Sequence, residues 1–295
     1  MASLVLPSTG GSELNELETM ATVTERPPIA PPILEVRGLT KSYGEGASSI
    51  TAIDNVDLSV IDGEFLVIVG PSGCGKTTFL KCVAGLMPAT AGHATLRGTA
   101  ITGPPEEMAV VFQDYSRSLM PWLTVRKNVM LPLRGQRSKK EAAQLAAESL
   151  DAIGLGEFGD QYPWQLSGGM QQRVAIARAL ACKPKVLLMD EPFASVDAQT
   201  RAELEDLVLD VRRTFGVTVV LVTHDIDEAV YMGDRVLVLS ARPSRVKRVL
   251  DVDLPQPRDQ LTTKSLPEFA ELRGEVYQDI RAESRGIALA ATEDR

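Results

Sequence analysis

Five consecutive apolar residues, Phe65 to Val69, run directly into Gly70-Pro71-Ser72-Gly73-Cys74-Gly75-Lys76-Thr77-Thr78. A short unbroken apolar run reads as a strand buried on both faces. The glycine spacing that follows, G-x-x-x-x-G-K-T, reads as a phosphate-binding loop opening a helix near Gly75. Three glycines let the backbone curl until successive N–H groups face one anion, and the helix adds the positive end of its dipole. Lys76 brings a point charge for the outer phosphates. Thr77 offers a hydroxyl to Mg²⁺, an ion that takes a few protein oxygens beside phosphate and water.

At 295 residues and 44% hydrophobic content the chain can bury a large core as one globular unit with an inserted lobe. Residues 33–36 and 50–60 read as strands around a turn at 44–46, forming an antiparallel layer, with Tyr43 at the edge of that turn. Strands at 94–96 and 108–112 are expected to continue the sheet up to Gln113. From 123 to 181 the pattern turns helical. Ser138 and Glu141 form a capping box, and Ala142, Leu145, Ala146, Leu150 and Ile153 repeat at helical spacing until Gly154. Buried-strand character returns at 186–189 and 217–222, with an amphipathic helix between them. The predicted class is α/β: a P-loop NTPase core with a mostly parallel sheet, an antiparallel β layer and an inserted α-helical lobe.

The predicted layout is a disordered tail at 1–32, rich in Ser, Thr, Glu and Pro, an ATPase domain at 33–255 with its lobe at about 114–182, and an extension at 256–295. The extension carries one modest helix around 268–282, too short for a further ligand-binding domain. A formal charge of -8 argues against nucleic acid as a partner. No run of eighteen apolar residues occurs, and the start lacks a basic flank, so the chain is expected neither to cross a membrane nor to leave the cytoplasm. Cys74, Cys82 and Cys182 have no metal-ligand spacing and are read as small reduced core residues.

The apolar residues 186–189 end in Asp190 and Glu191. Neighbours on a strand point to opposite sides. Asp190 is therefore expected to face Mg²⁺ and Glu191 the space beyond the γ-phosphate, as the candidate base that orients the attacking water. Upstream, Leu166-Ser167-Gly168-Gly169-Met170-Gln171-Gln172-Arg173 opens a helix with a second candidate anion site.

L-S-G-G-x-Q-Q-R ahead of a D-E-P strand resembles the signature of the ATP-binding cassette (ABC) ATPases, and the resemblance covers roughly residues 34–250. It implies that the signature of one subunit covers the ATP held by the loop of another, as a homodimer or a pair with a second ATPase subunit. It also implies roles for single residues. Tyr43 resembles the aromatic that stacks on adenine, and Gln113 the glutamine that senses Mg²⁺ and water. Asp197, in Ser195-Val196-Asp197, resembles the D-loop aspartate. His224, expected just after the last core strand, resembles the switch histidine, and Arg173 is read as structural.

Several stretches resemble the ATPases of nitrate, sulfonate and taurine importers: residues 110–113, 119–129, 240–246 and 252–259. The apolar and aromatic cluster at 114–125, at the edge of the lobe, resembles the place where cassette ATPases receive a short helix of their membrane partner. The resemblance implies an ATP-hydrolysing subunit peripheral on the inner face of the cell membrane, with permease subunits and an external solute-binding protein. The solute is not legible. A soluble or regulatory cassette ATPase uncoupled from transport is the alternative.

Overall fold

The computed structural model describes residues 31–44, 46, 49–114 and 118–293, with side chains described up to 283. The predicted tail lies outside the described residues up to 30, and the described chain falls into one compact unit beginning at Pro31. Among the described residues ten strands form two sheets. In chain order these are β1 (Leu34–Tyr43), β2 (Ile50–Val60), β3 (Phe65–Val69), β4 (Ala91–Leu96), β5 (Thr99–Ala100), β6 (Met108–Val111), β7 (Val186–Asp190), β8 (Thr218–Val222), β9 (Arg235–Leu239) and β10 (Val246–Asp251).

The six-stranded sheet runs β10-β9-β3-β8-β7-β6, parallel throughout except for β10 at its edge. Every residue of β3, β7 and β8 is buried. Side-chain alternation divides their contacts. Phe65, Val67, Val69, Leu187 and Met189 face one core with the helical lobe, while Leu66, Ile68, Val186 and Leu188 face the other. Each such fully buried side chain stabilises the fold by about 1.5–3 kcal/mol relative to exposure. The second core lies between this sheet, helix α1 (Lys76–Val83) and the four-stranded antiparallel sheet β2-β1-β4-β5.

The lobe holds α2 (Val125–Val129), α3 (Lys139–Ala152) and α4 (Gly168–Leu180). Beyond it come α5 (Ala198–Phe215), α6 (Ile226–Met232) and α7 (Pro267–Glu293). Caps explain several boundaries. Thr124, Ser138 and Ser167 each accept a hydrogen bond from the first turn of α2, α3 and α4, and Gly216 closes α5 at φ 59°.

Four expectations need correction. The strand around 94–96 does not extend the core sheet; β4 pairs antiparallel with β1, Leu34 opposite Leu96, so it belongs to the outer layer. The first strand does not stop at 36; β1 continues to Tyr43, which ends it at the edge of the turn as expected. The Ser138 box is half made: Ser138 caps Glu141, but the Glu141 carboxylate pairs with Arg137 at 3.4 Å. The modest helix at 268–282 is instead the 27-residue α7, whose Phe269 and Val276 are buried in the same core as Phe65. Its polar face conceals that packing in the sequence.

Candidate functional site

The carboxyl ends of adjacent parallel strands meet at one edge of the sheet, where open α/β folds bind ligands. β3 delivers the phosphate loop, β7 delivers Asp190 and Glu191, and β8, between them, delivers His224. His224 does not follow the last strand of the sheet, because β9 and β10 extend it on the far side of β3. That addition makes β3 an interior strand, as β8 already is between β3 and β7, and leaves the site central.

The loop has the backbone its glycines predict. Gly73 and Gly75 take φ of 76° and 117°, where an L side chain is strained. At Gly75 a Cβ would also meet the Ala52 carbonyl at 3.2 Å. Gly70 is closed to a side chain for another reason, since its Cβ would sit 3.0 Å from the Leu239 carbonyl. Lys76 is buried, and its ammonium donates to the carbonyls of Gly70 at 2.9 Å and Pro71 at 3.2 Å. A cation folded into a cradle of this shape has carbonyl partners that an anion can replace. Burial pushes the Cys74 thiol above its ordinary pKa, ahead of the opposing pull of Lys76, which suits an inert core thiol.

Thr77 donates its hydroxyl to Asp190 at 3.0 Å, so the two oxygens expected at Mg²⁺ are neighbours. Burial raises the Asp190 pKa, and nearby Glu191 adds to the effect. Among the described residues no group of three His, Cys, Asp or Glu side chains could hold a metal by itself. Two protein oxygens completed by phosphate and water is instead the pattern Mg²⁺ uses.

Glu191 adopts φ 44°, uncommon for a residue with a side chain. The Glu191 amide donates to Val222 of β8 at 2.8 Å, which holds the turn. Its carboxylate lies 3.1 Å from Nδ1 of His224 and accepts from the Gln113 amide at 3.3 Å. Two residues 111 positions apart in the chain thus converge on one carboxylate, which is an arrangement able to orient a water molecule.

Tyr43 places its hydroxyl 3.2 Å from Thr78 and is half exposed, so its ring flanks the start of α1. The signature residues occupy a different place. Ser167 caps α4, accepting from Met170, and Gly168 begins the helix. Gly169 packs so tightly on α5 that a Cβ would come within 2.3 Å of the Thr200 methyl. Thr200 in turn donates to Asp197 at 2.7 Å, joining the signature helix to the D-loop. Arg173 bridges the Ile153 carbonyl and Glu203, a purely structural set of partners.

A model of the ABC transporter family matches residues 53–194. An uncharacterized ABC transporter ATP-binding protein of Methanocaldococcus jannaschii is 47% identical over 252 residues, which span 85% of this chain and 92% of that protein. The chain belongs to the ABC transporter ATP-binding proteins. It is an ATPase, and its cofactors are ATP and Mg²⁺. Nitrate import ATP-binding protein NrtD of Synechocystis is 41% identical over 254 residues, with 84% of this chain and 95% of that protein covered. Among solved structures, the ABC ATPase MJ0796, a dimer in a post-hydrolysis state with ADP and Pi, aligns with a TM-score of 0.65 and 36% identity over 74% of this chain and 98% of that one. CbiO1 of Clostridium perfringens, part of the transporter complex cbiONQ, aligns at 0.68 with 27% identity over 76% of this chain and 90% of that one.

Sequence reasoning missed two supports of this ABC site. Arg242 reaches the Gly73 carbonyl from the turn after β9, at 2.9 Å. Glu228, buried in α6, accepts from Thr223 beside the switch histidine at 2.6 Å. The first was legible only as a subfamily likeness in residues 240–246. The second gave no signal, because a glutamate one turn into a helix is ordinary.

Proposed function

We propose that this chain is the ATP-hydrolysing subunit of an importer for a small anion of the nitrate, taurine or alkanesulfonate class. The observation that carries the hydrolytic assignment is Glu191 held between His224 and Gln113 beside the phosphate loop. Residues 70–78 and Lys76 hold the nucleotide phosphates, Thr77 and Asp190 hold the metal, and the Tyr43 ring meets the base. ATP supplies the phosphoryl group, and Mg²⁺ neutralises charge on it. Glu191 orients the water and takes its proton, while His224 and Gln113 fix the carboxylate's direction. Ser167, Gly168, Gly169 and Asp197 act on the nucleotide of the partner subunit, so the working unit is a dimer. The two sites are completed only when the copies close.

The likeness to nitrate import and bicarbonate transport ATP-binding proteins supports import of a small inorganic anion. A membrane partner is supported by the lobe. Trp122 is 71% exposed on a loop that the fully buried Asn128 pins through bonds to Met120, Leu123 and Thr124. On the same lobe, a cleft of about 430 Å³ floored by Met130, Leu133 and Ala142 is rimmed by Lys127, Arg134, Arg137 and Lys139. Among the described residues no helix is long and apolar enough to cross a membrane. The chain sits on the inner membrane face through permease subunits, which receive solute from an external binding protein.

The test is ATPase activity of the chain reconstituted with a neighbouring permease in lipid, with the solute-binding protein loaded with nitrate, bicarbonate, taurine or an alkanesulfonate. Stimulation by one loaded protein identifies the solute. Hydrolysis indifferent to every membrane partner would favour a cassette ATPase uncoupled from transport.

A further inference from the structure

The turn joining β9 to β10 lies against the phosphate loop, and none of the roles above uses it. Arg242 donates from Nη2 to the Gly73 carbonyl at 2.9 Å. The same peptide unit is held on its other side, where the Cys74 amide donates to Pro71 at 3.2 Å. Peptides are planar units, and one flanked by glycine flips with little steric resistance. Fixing both ends of the 73–74 peptide therefore fixes which way its N–H and its carbonyl face. A flip would break both bonds and set the Gly73 carbonyl against that of Pro71, disturbing the turn that shapes the loop.

The turn is itself anchored twice. Ser244 is fully buried and bonds the Ala52 carbonyl through its hydroxyl at 3.1 Å and its amide at 3.0 Å, while Asp54 donates back to its carbonyl at 2.9 Å. That places Ser244 Oγ 3.5 Å from where a Cβ of Gly75 would be. On the other side, the Ala241 amide donates to Glu283 of α7 at 3.0 Å, and Lys247 of β10 pairs with the same carboxylate at 2.9 Å. The Ala241 bond holds the Glu283 carboxyl below its ordinary pKa. Glu275, Asp279 and Glu283 recur every four residues and so share one helix face, which meets Lys247 and Arg248.

We propose that Arg242 is a positioning residue for nucleotide binding, clamping the Gly73–Cys74 peptide of the phosphate loop, and that α7 sets Arg242 through Glu283. This deepens the ATP-site reading above and rests on it. Arg242 acts through the loop and touches no reacting atom.

The experiment uses the full chain as wild type, Arg242→Ala, Arg242→Lys, Glu283→Ala and Glu283→Gln. It measures binding of a fluorescent ATP analogue with Mg²⁺, the kcat and KM of hydrolysis, and amide exchange across residues 70–78. Arg242→Ala is expected to weaken binding about 5- to 10-fold, the effect of losing one charged hydrogen bond at an exposed position. KM should rise more than kcat falls, and exchange at 73–75 should quicken. Arg242→Lys, which keeps one donor, should recover part of the affinity. Glu283→Ala should weaken binding by a smaller factor in the same direction, and Glu283→Gln, which keeps the acceptor for Ala241, should do so less. Unchanged affinity and exchange in folded Arg242→Ala would overturn the proposal. If that variant unfolds, equal affinities of wild type, Arg242→Lys and Glu283→Ala would overturn it instead. Failure of the wild type to bind the analogue would defeat the ATP-site reading itself, a distinct outcome.

Discussion

Glu228 makes the stability of this ATPase depend on pH in a direction opposite to most carboxylates. It is 3% exposed, accepts the Thr223 hydroxyl, and its pKa is raised from 4.5 to about 8. Burial is the main cause, and Asp225 and Glu205 add to it. The Thr223 bond and Arg201, whose Nε lies 3.8 Å away, only partly offset this. In the unfolded chain the same group ionises near its ordinary value, so between about pH 4.5 and pH 8 the folded state binds the extra proton. The stability held by the neutral carboxyl is fully present below the unfolded pKa and is lost as pH rises through that window. Each pH unit well inside it costs about 1.4 kcal/mol, and less on approaching the folded pKa, so roughly 2 kcal/mol disappears between pH 6 and pH 8. For a domain of this size that is a drop of about 4–8 °C in Tm.

Glu228→Gln isolates the effect, because glutamine keeps an acceptor for Thr223 and has no proton to lose. Thermal unfolding of both proteins at pH 6, 7 and 8 is the assay. The wild type should lose Tm relative to the variant steadily with pH, by the amount above. A difference between the two proteins that stays constant over this range would refute the reasoning, since it would mean that Glu228 is ionised throughout. The other acidic and basic groups are common to both proteins, so the difference between the two reports chiefly on Glu228.

Three further outcomes follow from contacts in the structure. Glu191→Gln should bind ATP, accumulate a closed dimer detectable by size exclusion with Mg-ATP, and hydrolyse at least ~100-fold more slowly, the usual weight of a general base; rapid turnover would move the base elsewhere. Gly169→Ala drives a methyl toward Thr200, 2.3 Å from its Cγ2, and should cost about 1–3 kcal/mol in denaturant unfolding. Adding Thr200→Ser, which removes that methyl but keeps the hydroxyl on Asp197, should restore most of it. Arg212→Ala removes a half-buried ion pair to Asp234, a 2.9 Å bond to the Gly63 carbonyl and a cation over the Phe65 ring, and should destabilise by about 2–3 kcal/mol.

What was legible in the sequence was whatever a local pattern dictates. The phosphate loop, the strand ending in Asp190 and the serine opening α4 each combine hydrophobic period and special residues within about ten positions, and all three take the predicted form. Pairing partners were less legible. Residues 94–96 look the same whether they join a parallel core or an antiparallel layer, and only the partner β1 decides. The length of α7 was hidden because its packing rests on few apolar residues, Phe269 and Val276 among them, while its other face is acidic.

The contacts that were not legible share a geometry. Arg242 reaches Gly73 across 169 positions, and Glu283 reaches Ala241 across 42. Each is a single polar bond between segments with no periodic pattern of its own, so no window of sequence contains both halves. Yet the first of these bonds acts on the phosphate loop, whose Gly73 and Gly75 sit at positive φ, and the second holds the turn that carries Arg242. A phosphate loop is flexible because its glycines must allow close approach to an anion, and that freedom has to be restrained from outside the motif. Here Arg242, on the turn between β9 and β10, supplies such a restraint, so on the proposal above a substitution at that one position changes nucleotide affinity without touching the motif.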